Sequence, residues 1–301
     1  MGIVSNLPFL RRIISVCIKK FLDFSDLPLL RRERRLMVAD IELLMFEREV
    51  QHKREKFNRS NIEVLTKINE LIVGRLKEIP KLIRLGSRHD GGYVIPMFAS
   101  KDHTWVTFGI GDNLEFENEI AKNNQVFCFD HTINSLPKNS LSSVVFFKKG
   151  LAHVASDEFW TIDEALKATS VGESAYCIKL DIEGFEWEVL KDIICLKTPP
   201  KVLVIEFHGI LRSHLNGESD RIYKELKDLS RFYLAVFSNV NNFGGVFRSD
   251  FGIHADTVEV TFIHREIDYE SINYSATEYE SLRSNNNPMR HTLQLINYQN
   301  P

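Results

Sequence analysis

Acidic side chains and one histidine stand at the ends of apolar runs whose composition predicts β-strands. Asp130 and Asp181 each end one run, and Glu206 and His208 lie at the end of a third. Carboxylates accept hydrogen bonds from hydroxyl groups, and a histidine with a pKa near neutrality can accept a proton. Because ligands of open α/β sheets bind beyond the carboxyl ends of the strands, these positions predict a binding or catalytic site at that edge.

A glycine turn, Phe-Gly-Ile-Gly-Asp-Asn at residues 108–113, follows the first of these runs. Gly109 and Gly111 allow the backbone to approach a ligand closely, and the next helix aims its N-terminal N–H groups at the same place. Leu114 stands where a dinucleotide motif has its third glycine, which argues against a pyrophosphate site. Asp130 lies 19 residues beyond Gly111, where a carboxylate can accept both hydroxyls of a ribose. The segment predicts an adenosine-containing cofactor, with a plain strand-to-helix turn as the alternative.

Residues 179–187 carry three carboxylates close to another predicted strand end. Asp181 is expected to face the cleft and Glu183 to touch a ligand, while Gly184 allows a close turn. Glu186 falls in the first turn of the next predicted helix, where an acidic residue suits the helix dipole. We therefore expect the chemistry of this segment to come from Asp181 and Glu183.

Strand alternation places Glu206 and His208 on one face. His208 is a candidate general base, although a lone histidine is also common as a structural residue. With Asp181 the pair could converge on a divalent metal, but spacing alone does not show convergence and no metal is predicted. Upstream, Asp90 and Tyr93 flank two glycines, which form either a β-turn or a segment that closes over a ligand.

The composition is that of a globular protein long enough to bury a full core, with 301 residues, 44% of them hydrophobic and 26% charged. No apolar run approaches the roughly 18–20 residues of a membrane-spanning helix, which excludes a polytopic membrane protein. The 38 basic and 41 acidic residues balance, so charge gives no overall case for nucleic acid. The four cysteines are scattered without a CxxC motif, which makes a reducing cytosol the expected location.

Short β-rich runs alternate with amphipathic helices from residue 103 onward, and this alternation positions the candidate residues. The predicted strands are Trp105–Ile110, Val126–Asp130, Val144–Lys148, Tyr176–Asp181, Val202–His208, Phe232–Ser238 and Val258–His264. The predicted helices are Leu114–Lys122, Ile162–Ala168, Phe185–Ile194 and Asp220–Leu229, the second opened by a Thr161/Glu164 capping box. Such alternation predicts an α/β fold with a mostly parallel seven-stranded sheet, and the last strand, which no helix precedes, is expected to be antiparallel.

Two flanking regions differ from this pattern. Residues 1–80 predict a helical N-terminal extension whose last helix begins at a Ser60/Glu63 capping box and ends at Pro80. Residues 81–265 hold the α/β domain, and the polar tail, residues 266–301, is predicted as loop or partly disordered.

The extension contains a basic amphipathic segment at residues 7–22, in which apolar residues recur at helical spacing. Such a helix either lies on an anionic membrane surface or packs on its own domain or on a second subunit. The first alternative predicts peripheral contact with the inner membrane surface, and the second leaves a homo-oligomer open.

Six segments together resemble the FkbM-like branch of S-adenosylmethionine (SAM)-dependent methyltransferases. They cover roughly residues 81–265 and occur in the order of that family: Asp90-Gly91-Gly92-Tyr93, Phe108-Gly109-Ile110-Gly111, Phe129-Asp130-His131-Thr132-Ile133, Phe146-Phe147-Lys148-Lys149-Gly150, Lys179-Leu180-Asp181-Ile182-Glu183-Gly184 and Glu206-Phe207-His208. The resemblance implies a Rossmann-like methyltransferase fold that binds SAM and methylates an oxygen of a sugar, glycan or other small molecule.

The resemblance also implies roles for individual residues. The glycine turn would hold the methionine part of SAM, Asp130 its ribose and Leu151 the adenine. The full set expected at the cofactor is Phe108, Gly109, Gly111, Asp112, Asp130, His131, Leu151 and Asp181. Asp181, His208 and Glu183 are the catalytic candidates, with Asp181 or His208 as general base, and Asp90, Tyr93, Asn241 and Asn242 are expected to bind the acceptor. Two rival classes stay open: a non-catalytic binding or assembly module, and a nicotinamide oxidoreductase, which Leu114 disfavours.

Overall fold

The computed structural model describes residues 62–171, 175–249, 252–288 and 296–297. The amphipathic segment 7–22 and the capping residue Ser60 lie outside these residues, so the predictions made for them stay predictions. The helices are α1 (Glu63–Ile72), α2 (Glu115–Ala121), α3 (Ile162–Thr169), α4 (Glu186–Ile194), α5 (Ile210–Leu215), α6 (Ser219–Leu229) and α7 (Ala276–Ser281). Among the described residues, no helix is both long and apolar enough to cross a bilayer.

One seven-stranded sheet forms the centre of the fold. Its strands, in spatial order, are β11 (Tyr233–Val240), β14 (Val258–His264), β10 (Val202–Phe207), β9 (Tyr176–Leu180), β4 (Thr104–Phe108), β5 (Gln125–Phe129) and β6 (Val144–Phe147). All neighbouring pairs are parallel except those made by β14, which runs antiparallel to both β10 and β11. The predicted α/β fold, with its last strand antiparallel, is therefore confirmed.

Smaller strands surround this sheet. They are β1 (Ile79–Pro80), β2 (Leu82–Gly86), β3 (Gly92–Pro96), β7 (Gly150–Leu151), β8 (Phe159–Trp160), β12 (Val246–Ser249), β13 (Gly252–Ala255), β15 (Ser271–Ile272) and β16 (Ile296–Asn297). The hairpin β2–β3 packs on α2, which also contacts β5 and β6. Helix α4 packs on β10 and α6, and all six residues of β10 are buried, so both faces of the sheet are covered at its centre.

The helix that begins near residue 60 ends earlier than predicted. Helix α1 stops at Ile72 because Val73 takes an extended conformation while its N–H still bonds the carbonyl of Asn69. Leu76, which the predicted helix would include, is exposed, and Pro80 ends a short strand instead of a helix. Just beyond the helix, Gly74 packs against the backbone of β11 at Phe237.

The polar tail is not a simple loop. Strand β15 pairs with β1, and helix α7 begins at a capping box formed by Ser275 and Glu278. Tyr279 is buried against Phe237 and donates a hydrogen bond to the carbonyl of Val236. One aromatic anchor thus secures a segment whose average composition is polar, which is why composition predicted a loop.

Gly74 tests this packing. A Cβ at this position would lie 2.6 Å from Cα of Phe237 and would overlap the Tyr279 hydroxyl. Gly74→Ala should therefore lower the free energy of unfolding by about 1–3 kcal/mol, the usual cost of overpacking. Gly245→Ala is the matched control, because a Cβ there meets no heavy atom within 4 Å. Urea denaturation of both variants makes the comparison, and equal stabilities would contradict the described contact between Gly74 and β11.

Candidate active site

A cavity of about 610 Å³ opens at the carboxyl ends of β4, β5 and β9. This volume is in the range of small-molecule and cofactor sites. Predicted site residues that line it are Asp90, Tyr93, Gly109, Gly111, Asp112, Asp130, His131, Leu151, Asp181 and Glu183. The cavity thus lies at the ends of the strands, and most of the residues predicted to bind the cofactor line it.

The glycine turn forms the floor of the cavity. Gly109 has φ +74° and Gly111 has φ +50°, values that favour glycine over residues with a Cβ. A Cβ on Gly109 would overlap the carbonyl oxygen of Asp181, so the turn and the end of β9 approach more closely than any other residue would allow. The turn therefore presents its backbone to the cavity.

Asp130 anchors this turn. One carboxylate oxygen accepts hydrogen bonds from the N–H groups of Ile110 and Gly111, at 3.0 and 2.9 Å. The other accepts from the N–H and the hydroxyl of Thr132, at 2.7 and 2.6 Å. Burial would raise the pKa of Asp130, but these hydrogen bonds hold it below its ordinary value. All four acceptor positions of the carboxylate are thus occupied, so holding the turn is a role that the ribose prediction did not include.

Lys179 joins the turn to the neighbouring strand end. Its buried ammonium donates to the carbonyl of Gly109 at 2.8 Å, and it lies 3.4 Å from Glu117 and 4.0 Å from Asp181. Burial alone would lower the pKa of Lys179, but the carboxylates of Glu117 and Asp181 raise it above its ordinary value. The ammonium therefore stays charged and fixes the turn against β9.

Aromatic side chains form another wall. Phe159 stacks with Phe185 at 6.0 Å between ring centroids, and the ring of His131 lies 4.5 Å from that of Phe159. Phe185 is 42% exposed although it is large and apolar. Gly150 lines the same region, where a Cβ would come within 2.6 Å of the Phe159 ring. Flat apolar faces beside a short glycine-containing strand suit a planar heterocycle such as adenine.

Asp181, Glu206 and His208 converge beside the cavity. One potential ligand atom from each lies within 4.8 Å of the other two. The Tyr93 hydroxyl donates to Asp181 at 2.8 Å, and the Asn241 amide donates to Glu206 at 2.6 Å. Burial, reinforced by the charge of Asp181, raises the pKa of Glu206 well above its ordinary value. The convergence that spacing alone did not show is therefore present.

His208 is oriented by Glu186, a residue whose predicted role was only to suit the helix dipole. Nδ1 of His208 lies 3.1 Å from Oε1 of Glu186, and that oxygen also accepts from the N–H groups of Ile182 and Gly184. Burial would lower the pKa of His208, but the Glu186 carboxylate raises it above its ordinary value. Nε2 faces Glu183 at 3.6 Å. Glu186 therefore sets both the ring orientation and the turn after β9.

Several predicted residues lie elsewhere. Phe108 is buried in the core, where it stacks on Phe129, so its side chain is not at the cavity. His208 and Asn241 do not line the cavity and adjoin it through Glu206 and Asp181. The side-chain amide of Asn242 donates to the carbonyl of Asn287 at 3.0 Å and accepts from its N–H at 2.6 Å. Asn242 therefore has a structural role.

Sequence reasoning also missed functional neighbours. Glu117 lies on the apolar face of α2, one turn before Ile120 and Ala121, and this inward position of a charged residue was the available indication. Glu259 and Asn286 form a buried pair at 2.5 Å, for which the sequence offered no indication.

Residues 87–233 match the model of the methyltransferase FkbM domain. Residues 87–233, just under half of the chain, are therefore an FkbM methyltransferase domain. No curated protein is significantly similar to the chain. The match to this family model supports SAM-dependent methyl transfer as the general activity of the domain.

Three of the solved structures that resemble this chain are methyltransferases, each at low sequence identity. A dimethyladenosine transferase from Plasmodium falciparum is 12% identical over 69% of this chain and 62% of that one, with a TM-score of 0.32. A precorrin-6y C5,15-methyltransferase from Geobacter metallireducens GS-15 is 11% identical over 54% of this chain and 80% of that one, with a TM-score of 0.31. An rRNA methylase from Streptococcus thermophilus is 11% identical over 66% of this chain and 93% of that one, with a TM-score of 0.30.

Asp130 provides a test of the turn geometry in the FkbM domain. Asp130→Asn replaces an acceptor by a donor opposite backbone N–H groups, so the ligand-free protein should lose about 1–3 kcal/mol of unfolding free energy. Asp112→Asn, in the same turn but exposed, should leave stability unchanged. Chemical denaturation without ligand measures both. An Asp130→Asn variant as stable as wild type would show that the carboxylate is not the anchor of the turn.

Proposed function

We propose that this FkbM domain transfers the methyl group of SAM to a hydroxyl oxygen of a sugar, glycan or other small molecule. The observation that supports the proposal most directly is the convergence of Asp181, Glu206 and His208 at the edge of the cavity. The methyl carbon of a sulfonium is already activated, so the protein has to align an acceptor oxygen and assist its loss of a proton.

The residues of the cavity fit SAM. The exposed backbone of Gly109 and Gly111 suits the polar methionine end, and Phe159 and Phe185 suit the adenine ring. The Asp130 carboxylate is already shared by the turn and Thr132, so a ribose hydroxyl bound there would compete with the Thr132 hydroxyl. When bound, SAM supplies the electrophilic methyl group.

The charge of the cavity favours a neutral acceptor over a polyanion. The acids Asp90, Asp112, Asp181 and Glu183 line it, and the cation that faces them, Lys179, is buried and paired. A phosphate backbone would be repelled by this rim, because affinity for nucleic acid depends mainly on positive charge. A hydroxyl-rich small molecule would instead find acceptors for its hydrogen bonds.

The acidic cluster would promote ionisation of the acceptor. Asp181 lines the cavity, and Glu206 and His208 lie directly behind it. Such groups assist ionisation either by accepting the proton or by holding a cation that stabilises the resulting oxyanion. Glu186 bonds Nδ1 of His208, which leaves Nε2 on the side of Glu206 and Glu183.

The cofactor assignment predicts a selective thermal shift. S-adenosylhomocysteine (SAH) should raise the melting temperature of the full chain, because a ligand that binds the native state stabilises it. NAD should have no effect, since the turn lacks the third glycine of a dinucleotide site. A shift with NAD and none with SAH would reject the assignment.

The role of the cluster predicts separate effects on transfer and on cofactor binding. His208→Ala should lower methyl transfer from labelled SAM to hydroxyl acceptors by about 10²–10⁴-fold, while SAH affinity stays within about twofold. His153→Ala is the control, because His153 is an exposed histidine that also pairs with a carboxylate, Asp192. Wild-type turnover in His208→Ala would exclude His208 from the reaction.

A further inference from the structure

The side chains behind the cavity have the composition and spacing of a metal site. We infer that Asp181, Glu206 and His208 bind a hard divalent cation, Mg²⁺ or Mn²⁺, at the place where the acceptor hydroxyl is expected. Two carboxylates and one imidazole are oxygen and nitrogen ligands that such cations accept. The binding site stands on geometry alone, and only its effect on methyl transfer rests on the proposed function.

The distances between the proposed ligand atoms are too long for a hydrogen bond and suit an ion between them. Nε2 of His208 lies 3.7 Å from Oε1 of Glu206, beyond hydrogen-bond distance. A cation about 2.0–2.2 Å from each ligand separates neighbouring ligand atoms by about 3–4 Å, depending on the angle between them. The three ligand atoms lie within 4.8 Å of one another. They therefore need to move together only slightly to bind a cation.

His208 presents a buried lone pair to this space. The side chain is about nine-tenths buried, and Nε2 faces the carboxylates of Glu206 and Glu183 at 3.7 and 3.6 Å. Because Nδ1 donates to Glu186, the neutral ring carries its lone pair on Nε2. Nε2 and the carboxylates of Glu206 and Glu183 thus face one small space, in which a cation would bind the lone pair together with the carboxylate oxygens.

Each proposed ligand is also held from behind. Glu186 holds His208, the Tyr93 hydroxyl holds Asp181 and the Asn241 amide holds Glu206. Metal ligands characteristically make such supporting hydrogen bonds, which fix the tautomer of a histidine and the orientation of a carboxylate. Such support is present on all three residues.

The charge around the cluster is unbalanced. Among the described residues, the lysine or arginine in ion-pair contact with these ligands is Lys179, 4.0 Å from Asp181, and it also neutralises Glu117 at 3.4 Å. Glu183 and Glu186 add two further carboxylates next to His208. Buried charges require compensation, and a divalent cation would offer it.

A cation here would act on the acceptor oxygen. A hydroxyl that completes its coordination has a lowered pKa and loses its proton to the exposed Glu183 and then to water. The oxygen lone pair forms the bond to the methyl carbon, and the electrons of the broken carbon–sulfur bond return to sulfur, which leaves neutral SAH. In this arrangement His208 is a ligand and not the base.

Binding of Mn²⁺ to the full chain tests the site without any acceptor. Electron paramagnetic resonance titration should show one saturable site, and Glu206→Gln and His208→Ala should each weaken it at least about tenfold. Glu206→Gln keeps the size and the acceptor for Asn241, so it should fold even if His208→Ala does not. His153→Ala should bind Mn²⁺ as wild type does.

The outcomes separate this inference from the proposed function. Absence of saturable Mn²⁺ binding, or binding that survives both Glu206→Gln and His208→Ala, overturns the cation site. Methyl transfer to a hydroxyl acceptor that continues in EDTA overturns the role of the cation in transfer, while the proposed function stands. Mn²⁺ binding that depends on Glu206 and His208 supports the site even if no hydroxyl acceptor is methylated, a result that would count against the proposed function alone.

Discussion

The buried ammonium of Lys179 is the point at which three parts of the site meet. It holds the carbonyl of Gly109, faces Glu117 from α2 and approaches Asp181 at the end of its own strand. Removing one partner of a buried pair costs about 3–5 kcal/mol, because the remaining charge is left without compensation. The turn that faces the cofactor, helix α2 and the acidic cluster must therefore keep their mutual positions.

The topology of the sheet explains why the cavity lies at that point. From β4 the chain continues outward through β5 and β6, and it then returns to β9 on the other side of β4. The connections that leave β4 and β9 thus diverge to opposite sides, which opens a crevice at the carboxyl ends of these strands. Gly109 and Asp181 are the first residues beyond the two strands, and they line the cavity.

The fold could be predicted from the sequence because the composition of the strands and the periodicity of the helices match the elements that the structure contains. The predicted run Val202–His208 is strand Val202–Phe207, and the predicted helix Phe185–Ile194 is helix Glu186–Ile194. The role of Glu186 was not accessible. A glutamate in the first turn of a helix is compatible with the dipole in either case, and only the tertiary structure shows that its carboxylate bonds His208.

Long-range polar pairing also explains the error about the tail. Glu259 on β14 is buried, which raises its pKa to about 7, and it accepts hydrogen bonds from Asn239 and Asn286. Asn286 additionally bonds Asp90 at the rim of the cavity. A buried carboxylate without donors is costly, so Asn286 is structural because of a residue that precedes it by 27 positions. Polar composition predicts a loop only where the polar side chains contact water. Here Asn286 is buried and donates to the buried carboxylate of Glu259 beside the site.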